Sequence, residues 1–153
     1  MQLVSLSATK QRFFLETKYV QQIVPHVALR CASKEHPLLC GALNYQGRSM
    51  AVCDLSVLLD AGLCARSLGT RILIINLGVL ADTPLSSPPE LFGLIAEEVT
   101  SIFSPYSSAY RDQTGSTPMY CDGRHTRYPL ELGRLIPDSL RSIIREERAY
   151  VIQ

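Results

Sequence analysis

The chain has 153 residues, about the length of one ordinary domain, and carries a formal net charge of +1 with 19% charged residues. Nearly half of it is apolar, which places it with globular proteins and apart from disordered ones. No basic excess exists to hold a phosphate backbone, so a nucleic-acid role is not expected. Met1 to Lys10 lacks both a basic start and a long apolar run, and the apolar stretch Ile72 to Ala81 is far too short to span a bilayer. A soluble cytoplasmic protein is the expectation.

In chain order, the first elements read as strands. Leu3, Ser5 and Ser7 alternate with Val4 and Leu6, and Arg12 to Leu15 reads as a hairpin partner across the polar turn Thr9 to Gln11. Thr17 to Val24 places Tyr19, Val20, Ile23 and Val24 at helical offsets before Pro25, which predicts one or two helical turns. Leu38 to Tyr45 and Arg48 to Cys53 predict two strands joined tightly at Gln46-Gly47, since glycine tolerates positive φ. Asp54 then reads as the N-cap of a short helix with Leu55, Leu58 and Leu59 on one face, ended by Gly62. Arg71 to Leu77 predicts a buried strand paired with Leu91 to Ala96 across the proline-rich loop 82–89. Ser104 to Thr117 reads as a long surface connection, and Tyr120 to Leu130 resumes strand character. Pro137 to Ile144 predicts a closing helix with Leu140, Ile143 and Ile144 inward, which Arg145 to Arg148 continues toward solvent.

One pattern occurs twice. Gly47-Arg48 is followed by a strand and then by Asp54, Leu55, Leu58 and Leu59. Gly123-Arg124 is followed by a strand and then by Glu131, Leu132, Leu135 and Ile136. The echo suggests two similar small barrels in one domain spanning residues 1–153.

Chemistry-bearing constellations are missing from the sequence. The cysteines are Cys31, Cys40, Cys53, Cys64 and Cys121, an odd number without a Cys-x-x-Cys spacing. This argues against a disulfide framework and a zinc site, and neither a metal nor a cofactor is expected. Cys40 and Cys53 lie in apolar runs and read as buried thiols. His26 and His36 sit beside prolines in loop-like sequence, and nothing in the spacing supports pairing Cys31 with His36. Glu97 and Glu98 would face opposite ways on a strand, against shared acid/base work. The chain is therefore not expected to be an enzyme. What stands out is a polar tip, Asn44 to Arg48, between two apolar strands, and tyrosine and arginine are favoured anchors at protein interfaces.

The stretch Gly41 to Leu55 resembles the central motif of CheW-like domains, Gly-x-x-Asn-x-Arg-Gly, three variable residues, then Pro-Val-x-Asp-Leu. Gly41, Asn44, Gly47, Val52, Asp54 and Leu55 match. Thr17 to Pro25 is similar to the family's short helix before a proline, and Phe92 to Val99 to its Gly-Leu-Leu-Val-Asp-Glu-Val strand. Asn44-Tyr45, and Asp54-Leu55-Ser56 later followed by Arg66 to Arg71, look like coupling proteins of surface-sensing, Wsp-type clusters, whose output is a diguanylate cyclase.

The resemblance implies an all-β fold of two intertwined five-stranded Src-homology-3-like barrels with short helices. It implies a scaffold that bridges the cytoplasmic tip of a methyl-accepting chemoreceptor to a CheA-type histidine kinase. The partner-binding residues would be Gly41, Asn44, Tyr45, Gln46, Gly47 and Arg48 on the hairpin, Ile23 and Val24 before the proline, and Leu94 and Ile95 on the later strand. The sequence departs from the pattern at three places: Gln46 replaces the family's hairpin arginine, Ala51 its proline and Glu97 its aspartate. Arg48 lies two residues beyond Gln46 and, on a strand, points the same way. The competing expectation is a small-molecule sensing domain with a ligand in the groove between barrels.

Overall fold

The computed structural model describes residues 2–81, 90–103, 109–111, 118–122 and 125–152. Its strands are β1 (Leu3–Ala8), β2 (Gln11–Glu16), β3 (Val20–Pro25), β4 (Leu39–Tyr45), β5 (Arg48–Asp54), β6 (Arg71–Asn76), β7 (Leu91–Ala96), β8 (Glu98–Phe103), β9 (Ala109–Arg111), β10 (Pro118–Asp122) and β11 (His125–Pro129). Three helices accompany them, α1 (Leu55–Leu58), α2 (Leu132–Leu135) and α3 (Asp138–Arg148). The predicted loop at 82–89 and most of the connection 104–117 lie outside the described residues.

Two mixed sheets form. One has six strands in the order β8-β1-β2-β11-β10-β9, the other five in the order β3-β6-β7-β5-β4. The chain begins in the first sheet, builds the whole second sheet, and returns to the first. The expected pair of closed five-stranded Src-homology-3-like barrels is thus corrected to two open sheets with helices. Among the described residues no ladder joins β8 to β9 or β3 to β4. In the second sheet the physical reason is visible. A barrel closes only if its two edge strands satisfy each other's backbone groups. Here Ala42 of edge strand β4 exchanges both backbone hydrogen bonds with Arg30, at 2.8 Å each. The two edges meet through a side chain instead: the Tyr45 hydroxyl donates to Gln22 Oε1 (2.8 Å) and accepts from Gln21 Nε2 (3.1 Å) on β3.

A second expectation also changes. The helical turns predicted over Thr17 to Val24 shrink to a single 3₁₀ turn at Thr17–Tyr19, and Val20–Pro25 is a strand paired antiparallel to β6. Three of its six residues, Val20, Ile23 and Val24, are β-branched, and the apolar strand Ile72 to Ile75 beside it offers a ladder; tertiary pairing overrides the helical offsets. Pro25 sits at the end of this edge strand, where a missing N–H is tolerated.

One apolar cluster joins both sheets. Val4, Leu6, Phe13 and Leu15 from the first meet Val52, Leu73, Phe92 and Leu94 from the second, and α3 adds Leu140 and Ile144. β6 and β7 are buried on both faces, which is why they read as continuous apolar runs without alternation. α3 lies against β5 and β7, with Asp138 in its first turn and Arg145 and Arg148 in its last, each of the sign that suits the helix dipole.

Candidate protein-contact site

The predicted hairpin forms with Tyr45 opposite Arg48 and only Gln46 and Gly47 in the turn. Both turn residues have positive φ, 54° and 80°. That is the type I′ geometry whose twist matches the flanking strands, and it explains glycine at 47. Asn44 Oδ1 accepts a hydrogen bond from Gly47 N (3.1 Å), so Asn44 braces the turn from its own side chain. Gln46, Gly47 and Arg48 are exposed at the tip, whereas Tyr45 is buried. Gly41 is buried for another reason. A Cβ there would lie 2.6 Å from the Arg30 carbonyl oxygen, so the Arg30–Ala42 bridge demands glycine.

The remaining predicted residues fall into two cross-strand rows. Ile23 is level with Leu73 of β6, and Leu73 with Leu94 of β7; Val24, Ile72 and Ile95 form the next row. Leu94 and Ile95 are fully buried and offer no surface. They lie two strands behind Ile23, which is 39% exposed on the free edge of β3. Val24 packs beside Tyr45, Met50, Ile74 and Leu91 in a small cluster. The structure therefore brings the hairpin and the β3 residues together through Tyr45, and keeps Leu94 and Ile95 apart as their support.

Asp54 does more than the expected capping. One carboxylate oxygen accepts from Ser56 N (2.9 Å) at the start of α1, and the other from Cys64 N (3.0 Å) across the following loop. Burial, with a contribution from Asp54, pushes the Cys64 thiol up to about 12. Burial likewise raises Cys53 and Cys40. Neither Cys53 nor Cys64 is a poised nucleophile. Cys31 and His36 do line one open hollow of about 500 Å³ with Lys34 and Cys40. Both His36 ring nitrogens are engaged, however, Nε2 with Ser139 Oγ (3.1 Å) and Nδ1 with Leu38 N (3.1 Å). A second hollow of about 350 Å³ lies where β2 meets α2, lined by Phe14, Tyr19, Leu130 and Leu132 among others.

Sequence reasoning missed the C-terminal contribution. Glu147 and Arg148 fall in a charged run predicted to face solvent. Glu147 is instead buried. It accepts from Ser33 N (3.1 Å), Ser33 Oγ (2.5 Å) and Ser49 Oγ (2.5 Å). Burial works against its charge, but these hydrogen bonds and nearby Arg30 outweigh burial and hold the carboxyl below its usual range. Helical offsets carry the signal that would have found it: Leu140, Ile144, Glu147 and Arg148 are i, i+4, i+7 and i+8 on one face.

The family model of the CheW-like domain matches residues 2–121. No curated protein matches the sequence. Among solved structures, the scaffolding protein TtCheW from Thermoanaerobacter tengcongensis superposes with a TM-score of 0.68 at 18% identity, over 91% of this chain and 89% of that one.

Proposed function

Because the chain belongs to the CheW-like family, non-catalytic adaptors that couple chemoreceptors to a CheA-type histidine kinase, we propose that it meets its partners through the hairpin tip and the β3 edge together. The observation that carries this reading is the Tyr45 hydroxyl, which ties the hairpin to Gln21 and Gln22 and so joins it to the β3 edge that carries Ile23. Val27, two residues beyond Pro25, is also apolar and 47% exposed. The face joins an apolar strip to an arginine, the residue types that anchor protein interfaces. Tyr45 acts from below as a brace, while Arg48 offers its charge where the family's arginine is replaced by Gln46. Chemoreceptor tips and their kinase lie in the cytoplasm, and this is where the adaptor is proposed to act. Among the described residues no helix is long and apolar enough to cross a membrane.

The test uses Arg48→Ala and Ile23→Asp, both at exposed positions, with the kinase and a receptor cytoplasmic fragment as probes. Each variant is expected to lose about 2 kcal/mol of binding to at least one partner, roughly thirtyfold in affinity, with little change in melting temperature. Wild-type affinity of both folded variants for both partners overturns the assignment of this face.

A further inference from the structure

We propose that the end of α3 and the residues after it form a clasp that holds the hairpin tip in its binding-ready position, with Glu147 as the positioning residue. The inference rests on the reading of the hairpin as a contact face. Strand β5 is flanked by β7 only over Val52 to Asp54. Along the first half of β5 that outer edge is taken by the C-terminal residues: Ser49 N donates to Tyr150 O (2.9 Å), and Ile152 N donates to Gly47 O (2.8 Å). Tyr150 and Val151 are themselves 53% and 65% exposed, so burial of their side chains does not hold this segment in place.

Its anchors lie one turn upstream. The Glu147 carboxylate gathers three hydrogen bonds from the loop at Ser33 and from Ser49 of β5, and Arg30 Nη2 donates to the same Ser49 hydroxyl (3.1 Å). A buried carboxylate is costly unless fully partnered, so this one fixes α3, β5 and the loop in a single arrangement. Arg148 then grips the turn from its open end. Its guanidinium lies 5.9 Å from the centre of the Tyr45 ring. It donates to Tyr45 O (3.0 Å) and Arg48 O (3.4 Å), the carbonyls on either side of the turn. Arg48 Nη1 donates back to Arg148 O (3.3 Å). A two-residue tip held this way loses less freedom on binding than a free one, so the clasp serves affinity by preorganisation.

The test compares Glu147→Ala with Ile152→Pro, which deletes one clasp N–H at a half-buried position. Amide exchange is followed in the free protein and affinity is measured for the CheA-type kinase and a receptor cytoplasmic fragment. In both variants the Ser49 amide is expected to exchange at least about tenfold faster, with a clearly smaller acceleration at Ile72 to Ile75. Affinity for at least one partner is expected to fall about fivefold or more. Unchanged Ser49 exchange, or equal acceleration in the core, overturns the clasp. So does wild-type affinity in both variants when Ile23→Asp or Arg48→Ala binds weakly. If Arg48→Ala and Ile23→Asp also bind normally, the contact face itself is refuted and the clasp has nothing to position.

Discussion

The two sheets share one wiring and differ in what they do with it. In the second, the β4–β5 hairpin lies beside β7 with β5 parallel to it, and β7 continues antiparallel to β6 and β6 to β3. In the first, β10–β11, β2, β1 and β8 repeat that order, again with one parallel step, between β11 and β2. Each parallel strand also leads to a short helix behind an acidic residue, Asp54 or Glu131. There the likeness stops. Asp54 is fully buried and accepts two backbone N–H groups. Glu131 makes no capping bond and pairs with Arg134 (2.8 Å) at the surface. An aspartate reaches back to the first turn of its own helix; in this geometry the longer glutamate turns outward. Equal backbone placement has not produced equal chemistry, and the second unit carries the tighter internal bracing.

Substitutions sharpen this difference, beginning with the largest effect. Asp54→Ala leaves two buried amides without acceptors and is expected to cost about 3 kcal/mol in denaturant unfolding. Gly41→Ala drives a Cβ into the Arg30 carbonyl, and about 2 kcal/mol is expected, with the Arg30–Ala42 bridge broken. Tyr45→Phe keeps the ring and removes the link to β3, for about 1 kcal/mol and faster amide exchange along Val20 to Val24. Glu131→Ala is the control from the other unit and should stay within about 0.5 kcal/mol. If Glu131→Ala proves as damaging as Asp54→Ala, the two caps are equivalent and the comparison collapses.

Acid titration examines the bracing from another side. The Glu147 carboxyl is held lower in the folded chain than in the unfolded one, so its contribution is complete above the unfolded value, about 4.3. It is lost as pH falls through the lower folded value. Glu90 adds in the same direction: burial opposes its charge, but Arg141 and Arg145 outweigh burial. Glu147→Ala should therefore be less stable at neutral pH and show a shallower acid limb than wild type. An acid limb identical to wild type would mean that this carboxylate contributes nothing to the pH dependence.

Much of the local structure was legible in the sequence because its causes are local. The Gln46-Gly47 turn, the Asp54 cap, the β6–β7 pair and the inward Leu140 and Ile144 each follow from turn chemistry, capping or periodicity. The doubled strand-and-cap pattern was read as two barrels; what repeats is the strand order of two open sheets. Closure into barrels was not legible, because it depends on which group reaches the outer edge of β4, and Arg30 is twelve residues from Ala42. Val20 to Val24 misled because apolar residues at these offsets suit a short helix and an edge strand equally. In the proposed site, the hairpin and the β3 segment were singled out from sequence, but Tyr45 was expected at the surface and Glu147 in solvent. Both assignments depend on distant partners, Gln22 for one and Ser33 and Ser49 for the other.

The most direct test of the contact face is an amide-exchange footprint of the full chain with and without the kinase and, separately, a receptor cytoplasmic fragment. At least one partner is expected to slow exchange at residues 20–25 and 44–48, and to leave the matching strands of the first sheet, residues 98–103, 118–122 and 125–129, unchanged. Protection confined to 98–103, 118–122 and 125–129 would contradict the assignment of the contact face.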